Sequence, residues 1–337
     1  MSALPKISII IPFYNAAGTL DACLQGLQRE REIPLEIICV DDRSTDDSAA
    51  IAARHPVTLV QMIRRSGAAA ARNLAASLAT GDLLFFVDAD VLVPPGVIAR
   101  IVARFAAEPE LDALFGAYTI FPAADNFATV YKNLAHHFTH LTSRRRASTF
   151  WCGCGAIRRA CFARAGGFDE GYDAASVEDI DLGYRLKKLG ARVALDPDLR
   201  VVHAKRYTLL SLIRSDLLNR AIPWTRLMVR ENVFTPDLNL RVPNILSGVL
   251  LALVLPLALL TFLFVPWRIA AVFLAALAGA YLLMNFRVWW YVFRLKGLLF
   301  SLLFLAMYSV TYVYSVVGFA LGIGMYLLEK KGKTAGK

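Results

Sequence analysis

The sequence predicts an α/β domain of the doubly wound type, built on a mostly parallel sheet and followed by an all-α membrane-spanning region. Three observations carry this. Short β-rich runs alternate with helix-forming stretches at the N-terminal end, and strand starts recur about every 25 residues, the length of a strand–helix unit. The apolar share is 57%, above the roughly 45–50% of soluble domains, with 19% charged residues. The excess sits late in the chain: between Leu238 and Leu328 there is no Asp or Glu, and the basic residues are Arg241, Arg268, Arg287, Arg294 and Lys296.

The expected strands are Ile7–Ile11, Leu35–Val40, Val57–Gln61 and Leu83–Val87. Each is a continuous apolar or β-branched run, as suits a strand buried on both faces. Between them, Thr19 is placed to cap a helix whose Leu20, Leu24 and Leu27 share one face, and Ala68–Ala79 is almost pure helix former. Ligands of such a sheet bind at the C-terminal ends of its strands. No Gly-x-Gly-x-x-Gly follows any strand, which argues against a dinucleotide oxidoreductase.

Tyr131–Phe150 reads as polar, and its His136, His137 and His140 are expected on a solvated helix face, with a metal site on His136 and His140 as the other reading. Tyr207–Val229 is amphipathic, fitting either a helix in a membrane interface or a domain-edge helix. Asn244–Val265, Ile269–Phe286 and Gly297–Leu328 are uncharged segments. The last, at 1.5 Å per residue, is long for one crossing and short for two, so it reads as one tilted helix or a hairpin broken near Gly318, Gly322 and Gly324. Two to four crossings are compatible with the charges.

The net charge is +10. Because basic residues flank the apolar segments, the expected partners are membrane lipids and diphosphates, with no nucleic acid. Met1–Leu4 carries no basic cluster and Ile7–Ile11 is too short for a signal sequence, so the N-terminal part is expected in the cytoplasm. The tail Lys330, Lys331, Lys333 and Lys337 favours the same side. The odd number of cysteines, Cys23, Cys39, Cys152, Cys154 and Cys161, is no disulfide framework, and Cys152-Gly-Cys154 reads as two ordinary buried residues.

Four stretches carry chemistry. Ile7–Asn15 runs a strand into a turn through Pro12 and Tyr14. Val40–Asp47 ends the second strand in acidic residues. Asp88-Ala-Asp90 follows a core strand. Gly166–Glu170 precedes Glu178-Asp179-Ile-Asp181-Leu-Gly-Tyr-Arg185. At a strand end, side chains at i and i+2 point the same way, so Asp88 and Asp90 repel unless a hard divalent cation, Mg²⁺ or Mn²⁺, joins them to substrate phosphates; a solvated turn is the plainer reading. Asp41 and Asp42 suit an imide N–H or a ribose hydroxyl, or a cap for a helix over Ser44–Ala53. Asp179 is the candidate base, although Ser176-x-x-Asp179 also resembles a capping box.

Taken in order, strand-Pro-x-Tyr-Asn, Val-Asp-Asp-x-Ser-Thr-Asp, Ala-Arg-Asn, Asp-Ala-Asp, Gly-Gly-Phe-Asp-Glu and Glu-Asp-x-Asp-Leu-x-x-Arg resemble the family 2 inverting glycosyltransferases of GT-A fold, over about Lys6–Lys205. The resemblance implies a GT-A catalytic domain at 1–205; hydropathy and charge add amphipathic helices and linker at 206–242, transmembrane helices at 243–329 and a basic tail at 330–337. It implies Pro12, Tyr14, Asp42 and Arg72 as nucleotide-base contacts with Asp41 beside them. Asp88 and Asp90 become ribose and metal–diphosphate ligands, and His203 a further metal or diphosphate contact. Asp179 becomes the catalytic base, supported by Glu178 and Arg185. The cofactor is then Mg²⁺ or Mn²⁺ and the donor a nucleotide-sugar, uridine diphosphate the favoured nucleotide.

A base matters only for an acceptor that must lose a proton. An ionised polyprenyl phosphate needs none, so Asp179 favours a hydroxyl on a lipid-linked saccharide or glycolipid in cell-envelope glycan synthesis, at the inner membrane. The alternatives are a polyprenyl-phosphate glycosyltransferase or a non-catalytic membrane scaffold. Processive synthases of this family carry Gln-x-x-Arg-Trp; here Arg220-Ala-Ile-Pro223-Trp224 keeps only the Trp, which favours transfer of a single sugar.

Overall fold

A computed structural model of the chain describes residues 4–29, 33, 35–172, 176–234, 237–261 and 264–335. Met1–Ala3, part of the expected Asn244–Val265 segment and the end of the basic tail lie outside them. The chain divides into two compact units, Met1–Thr208 and Leu209–Lys337.

The first unit runs β1 (Ile7–Phe13), α1 (Leu20–Leu27), β2 (Leu35–Asp41), α2 (Ser48–Ala52), β3 (Thr58–Gln61), α3 (Gly67–Leu78), β4 (Leu83–Val87), β5 (Val91–Leu92), α4 (Val97–Ala107), β6 (Ala113–Tyr118), α5 (Phe127–Thr142), β7 (Cys154–Arg158), α6 (Arg159–Arg164), α7 (Glu178–Lys188) and β8 (Val193–His203). These strands form one sheet in the order β3-β2-β1-β4-β7-β6-β8-β5. β3, β2, β1 and β4 are mutually parallel, as are β6 and β8; β7 runs against β4 and β6, and β5 against β8. The result is the mostly parallel sheet of a GT-A domain.

The continuous apolar strands follow from burial on both faces. Ile7, Ile9, Ile11 and Phe13 enter one core layer with the apolar face of α1, while Ile10 enters the other with Ile38, Val40 and Phe86. Phe86 meets Phe150, Phe162 and Phe168 at ring centroids of 6.4, 5.4 and 5.1 Å. Removing such a ring costs about 3–5 kcal/mol. Thr19 does occupy the N-cap position of α1, but its side chain makes no capping hydrogen bond.

α5 corrects the solvated reading of the histidine stretch. His137 and His140 are buried, and each donates from Nδ1 to a carbonyl of β6, those of Tyr118 and Gly116, the latter at 2.8 Å. The Gly116 carbonyl lies where the β6–β8 register jumps, between Phe115, which faces Leu195, and Ala117, which faces Arg200; Tyr118 follows, paired with Val201. A buried carbonyl outside the ladder needs a donor, and α5 supplies it. Gly116 is required there, since a Cβ would fall 2.1 Å from the Leu199 carbonyl oxygen.

The second unit comprises α8 (Leu209–Asp216), α9 (Ile222–Glu231), α10 (Val242–Val249), α11 (Leu255–Thr261) and α12 (Trp267–Ala335). The amphipathic stretch winds on without a break but not regularly: a π turn, Leu217–Ala221, joins α8 to α9 just before Pro223, whose missing N–H removes a regular helical bond. By length and composition Val242–Leu260 and Trp267–Lys331 are able to cross a membrane. The chain breaks inside α12 at Gly297, with φ 76° and ψ −177°, so Gly297–Leu328 forms one helix, the first of its two readings, and not a hairpin broken near Gly318, Gly322 and Gly324. Gly318 and Gly322 have another use. A Cβ on either would lie 2.6 Å from Ala221 or Thr225, so their smallness lets α9 and the π turn pack onto α12. Asp216 and Tyr314 (2.8 Å) and Arg226 and Glu329 (2.6 Å) join the same elements.

Candidate active site

The C-terminal ends of β1 and β2 place the first group. Pro12 is buried inside β1 opposite Val40. Tyr14, just past the strand, is 37% exposed, and the Arg65 guanidinium lies 4.0 Å over its ring. Arg65 was not singled out by the sequence; only its approach to an aromatic ring marks it. Asp41, the last residue of β2, accepts from the Ser44 N–H at 2.8 Å.

Asp42 has a different use from the base contact expected of it. Its two oxygens accept from the Ser66 and Gly67 N–H groups, at 2.7 and 2.9 Å. A buried carboxylate thus satisfies donors at the N-terminus of α3, where the helix dipole favours negative charge. The cap expected over Ser44–Ala53 is also displaced: α2 starts at Ser48, its N-cap residue Asp47 makes no capping bond, and Asp46 accepts from Ser48 and Ala17.

Arg72 sits on the buried face of α3 and is 3% exposed. Nη1 donates to Glu178 Oε1 at 2.8 Å and Nη2 to Asp88 Oδ1 at 2.7 Å. Burial disfavours its charge, but the acidic groups around it, with Asp88 and Glu178 in contact, hold it well above its usual range. Arg72 and Glu178 are therefore buried in an ion pair, with the Arg72 Nε left without a hydrogen-bond partner. Their effect is to tie the first turn of α7 to the end of β4.

Asp88 and Asp90 do not share one direction. β4 ends at Val87, and the Asp88 carbonyl accepts from the Val91 N–H in a turn, so strand alternation no longer applies. Asp88 engages Arg72, while Asp90 Oδ2 lies 3.7 Å from His203 Nε2 at the end of β8. Burial raises the Asp90 carboxyl, yet His203 and Lys205 outweigh it and hold it below the usual range. His203 stacks on Tyr118 at 4.4 Å, which fixes its ring.

Among the described residues no group of three or more His, Cys, Asp and Glu side chains is arranged around one point. A cation bridging to a diphosphate needs only one or two protein ligands, because phosphate oxygens and water supply the rest. The Asp90–His203 pair, one carboxylate oxygen and one imidazole nitrogen, fits Mn²⁺ in that role.

Asp179 stands in the first turn of α7, half-buried. It makes no capping box: the N-cap residue is Val177, and the Ser176 N–H donates to Glu178 Oε2 at 2.7 Å. Asp179 Oδ1 accepts from the Ile180 N–H at 2.8 Å, and Oδ2 lies 3.4 Å from the Cys152 nitrogen and 3.6 Å from its Sγ. All five cysteines are free and buried, as expected.

Arg185 does not reach Asp179. It donates to the Ala165 and Gly167 carbonyls at 2.5 Å and pairs with Asp181 one turn back at 3.4 Å. Asn73 grips the same loop from α3: its amide donates to the Phe168 carbonyl and to Glu170, both at 2.9 Å, and accepts from the Phe168 N–H at 2.8 Å. Asn73 stood in the Ala-Arg-Asn motif without an assigned role; its contacts lie 95 residues away and have no local signature.

The glycosyl transferase family 2 profile matches residues 8–165. An uncharacterized protein of Mycobacterium tuberculosis is 28% identical over 248 residues, 67% of this chain and 77% of that one. Validoxylamine A glucosyltransferase of Streptomyces hygroscopicus subsp. limoneus is 27% identical over 224 residues, and the match spans 56% of this chain and about half, 49%, of the enzyme's length. Among solved structures, a mannosyltransferase from Pyrobaculum calidifontis in complex with GDP-Man and Mn²⁺ is similar in fold, with a TM-score of 0.58 at 22% identity over 96% of this chain and 88% of that one. A mostly parallel sheet of this order and the ordered motifs on its rim agree with these likenesses: the chain carries a family 2 glycosyltransferase domain of GT-A fold, and the protein is a glycosyltransferase.

Proposed function

We propose that this glycosyltransferase is metal-dependent and inverting, and that it moves one sugar from a nucleotide-sugar, a uridine diphosphate sugar, to a hydroxyl of a lipid-linked saccharide or glycolipid in cell-envelope glycan synthesis. The apolar helices of the second unit anchor it in the inner membrane, with the catalytic unit in the cytoplasm. The observation that carries the reading is the Arg72 bridge: one side chain holds Asp88 at the sheet rim and Glu178 beside Asp179.

In this reading Tyr14 and Arg65 flank the nucleotide at the β1 end, with Pro12 and Asp41 shaping the floor. Asp90 and His203 would hold Mn²⁺ or Mg²⁺, which would supply positive charge toward the departing diphosphate. Asp88, fixed by Arg72, faces the ribose. Asp179 accepts the proton of the acceptor hydroxyl as that oxygen forms its bond to the anomeric carbon on the face opposite the leaving diphosphate, so the configuration inverts. Such general-base help is worth roughly 10²–10⁴-fold.

Two measurements test this. A thermal-shift screen of UDP-, GDP- and dTDP-sugars with Mn²⁺ or Mg²⁺ identifies the donor, because a ligand of the folded state raises Tm by mass action. Asp179→Asn should then abolish transfer and leave that shift intact. Transfer surviving in the variant, with an acid-labile lipid phosphosugar as product, excludes the base and points to a polyprenyl phosphate acceptor. Extraction of the protein from membranes by alkaline carbonate alone would overturn the anchoring.

A further inference from the structure

The segment before β7 lies directly on α7, and Gly183 makes this possible. A Cβ at Gly183 would sit 2.3 Å from the Phe150 nitrogen and 2.5 Å from the Thr149 carbonyl carbon. Any other residue there pushes the segment off the helix. Gly183 is one turn beyond Asp179, on the same face. The close approach therefore delivers Cys152 to the Asp179 carboxylate, with nitrogen and Sγ both within reach of the single oxygen Oδ2. The other oxygen accepts from Ile180 within the helix.

We propose that Cys152 is a positioning residue for Asp179: its thiol and backbone N–H hold the carboxylate in the orientation that receives the acceptor's proton. This rests on Asp179 being the base. A carboxylate only accepts, so the S–H donates. Burial pushes the Cys152 thiol well up, with Arg72 opposing and Asp179, Asp88 and Glu178 adding to the rise, so the group stays a protonated donor. A donor to a carboxylate favours its ionised form and restricts its rotation. Among the described residues, the charged groups that act on the Cys152 thiol besides Asp179 are Arg72 from α3, Asp88 from the end of β4 and Glu178 on α7 itself. None of them changes when the thiol is removed.

The test uses the full-length protein in detergent and the member of the UDP-, GDP- and dTDP-sugar panel that it turns over, with kcat followed against pH. Cys152→Ala should lower kcat by about 3- to 10-fold, the scale of one ordinary hydrogen bond, as suits a weak S–H donor. It should leave the donor KM unchanged and displace the acidic limb of the profile to higher pH. Cys152→Ser, which restores a donor, should recover kcat and return the limb to the wild-type position or below. A wild-type kcat and limb in Cys152→Ala overturns the proposal. So does Cys152→Ser behaving like Cys152→Ala, because packing alone would then explain both. Should Cys152→Ala not fold, the limb of Cys152→Ser decides: a shift to lower pH supports a donor at this position, and no shift overturns it. Asp179→Asn is run beside them. Normal turnover in that variant removes the base itself, a failure distinct from any result at Cys152.

Discussion

Arg72 and Glu178 form a buried ion pair, 2.8 Å between Nη1 and Oε1, across 106 residues of sequence. Both side chains are almost fully buried, at 3% and 4% exposure, and the second arm of the guanidinium reaches Asp88. A planar fork able to meet two carboxylates is a property of Arg and not of Lys. The pair is therefore a geometric device, which orients α7 relative to the rim of the sheet.

Breaking that pair should be costly because a charge is left behind. Arg72→Met should destabilise the first unit by about 3–5 kcal/mol. Adding Glu178→Gln to it should recover part of the loss, since the orphaned charge is then gone. Urea midpoints of the two variants check this, and additive losses would show that the residues are not coupled.

Asp42 should behave as a helix cap. Asp42→Ala leaves the Ser66 and Gly67 donors unpaired and is expected to cost about 1–2 kcal/mol of stability, read as a fall in Tm with no donor present. Asp42→Asn retains an acceptor oxygen and should lose less. An Asp42→Ala protein of unchanged Tm but weakened donor binding would restore the nucleotide-contact role.

Asp90→Asn and His203→Ala should each raise the Mn²⁺ concentration needed for half-maximal stabilisation by a nucleotide-sugar, by tenfold or more. The residual affinity comes from the diphosphate oxygens, which the variants retain. A titration midpoint that does not move in either variant would remove this pair as the metal holder.

His137 should make stability acid-sensitive. Burial holds its imidazole below the usual 6.5, with Arg200 adding to this and the Tyr118 carbonyl opposing. The folded state keeps the ring neutral, whereas the unfolded chain takes up a proton near pH 6.5. Stability is then lost as pH falls below about 6.5. His137→Asn retains a donor for the Tyr118 carbonyl and should flatten this part of the stability curve, as urea midpoints at pH 7.5 and 5.5 will show.

Much of the architecture was legible in the residues. The strand Leu83–Val87 was placed to the residue, because an uninterrupted apolar run of that length has few other stable environments. Helix α3 was readable from its alanines. The α5 histidines are buried and not solvated, because side-chain polarity says nothing about the strand irregularity at Gly116 or about which carbonyls of β6 the helix comes to lie against. The sequence left Gly297–Leu328 open between one helix and a broken hairpin, since Gly318, Gly322 and Gly297 look alike in sequence and differ only in what lies against them.

The amino-acid order settled which residue types stand at the ends of which strands, and so the class of chemistry, because strand termini and turns are local properties. Packing settled the assignments within that class. Asp42 went to a helix and Asp88 to Arg72, while Asp90, just before β5, met His203 at the end of the neighbouring β8. Each of those partners lies well over a dozen residues away, where only the closed fold sets distance, burial and charge.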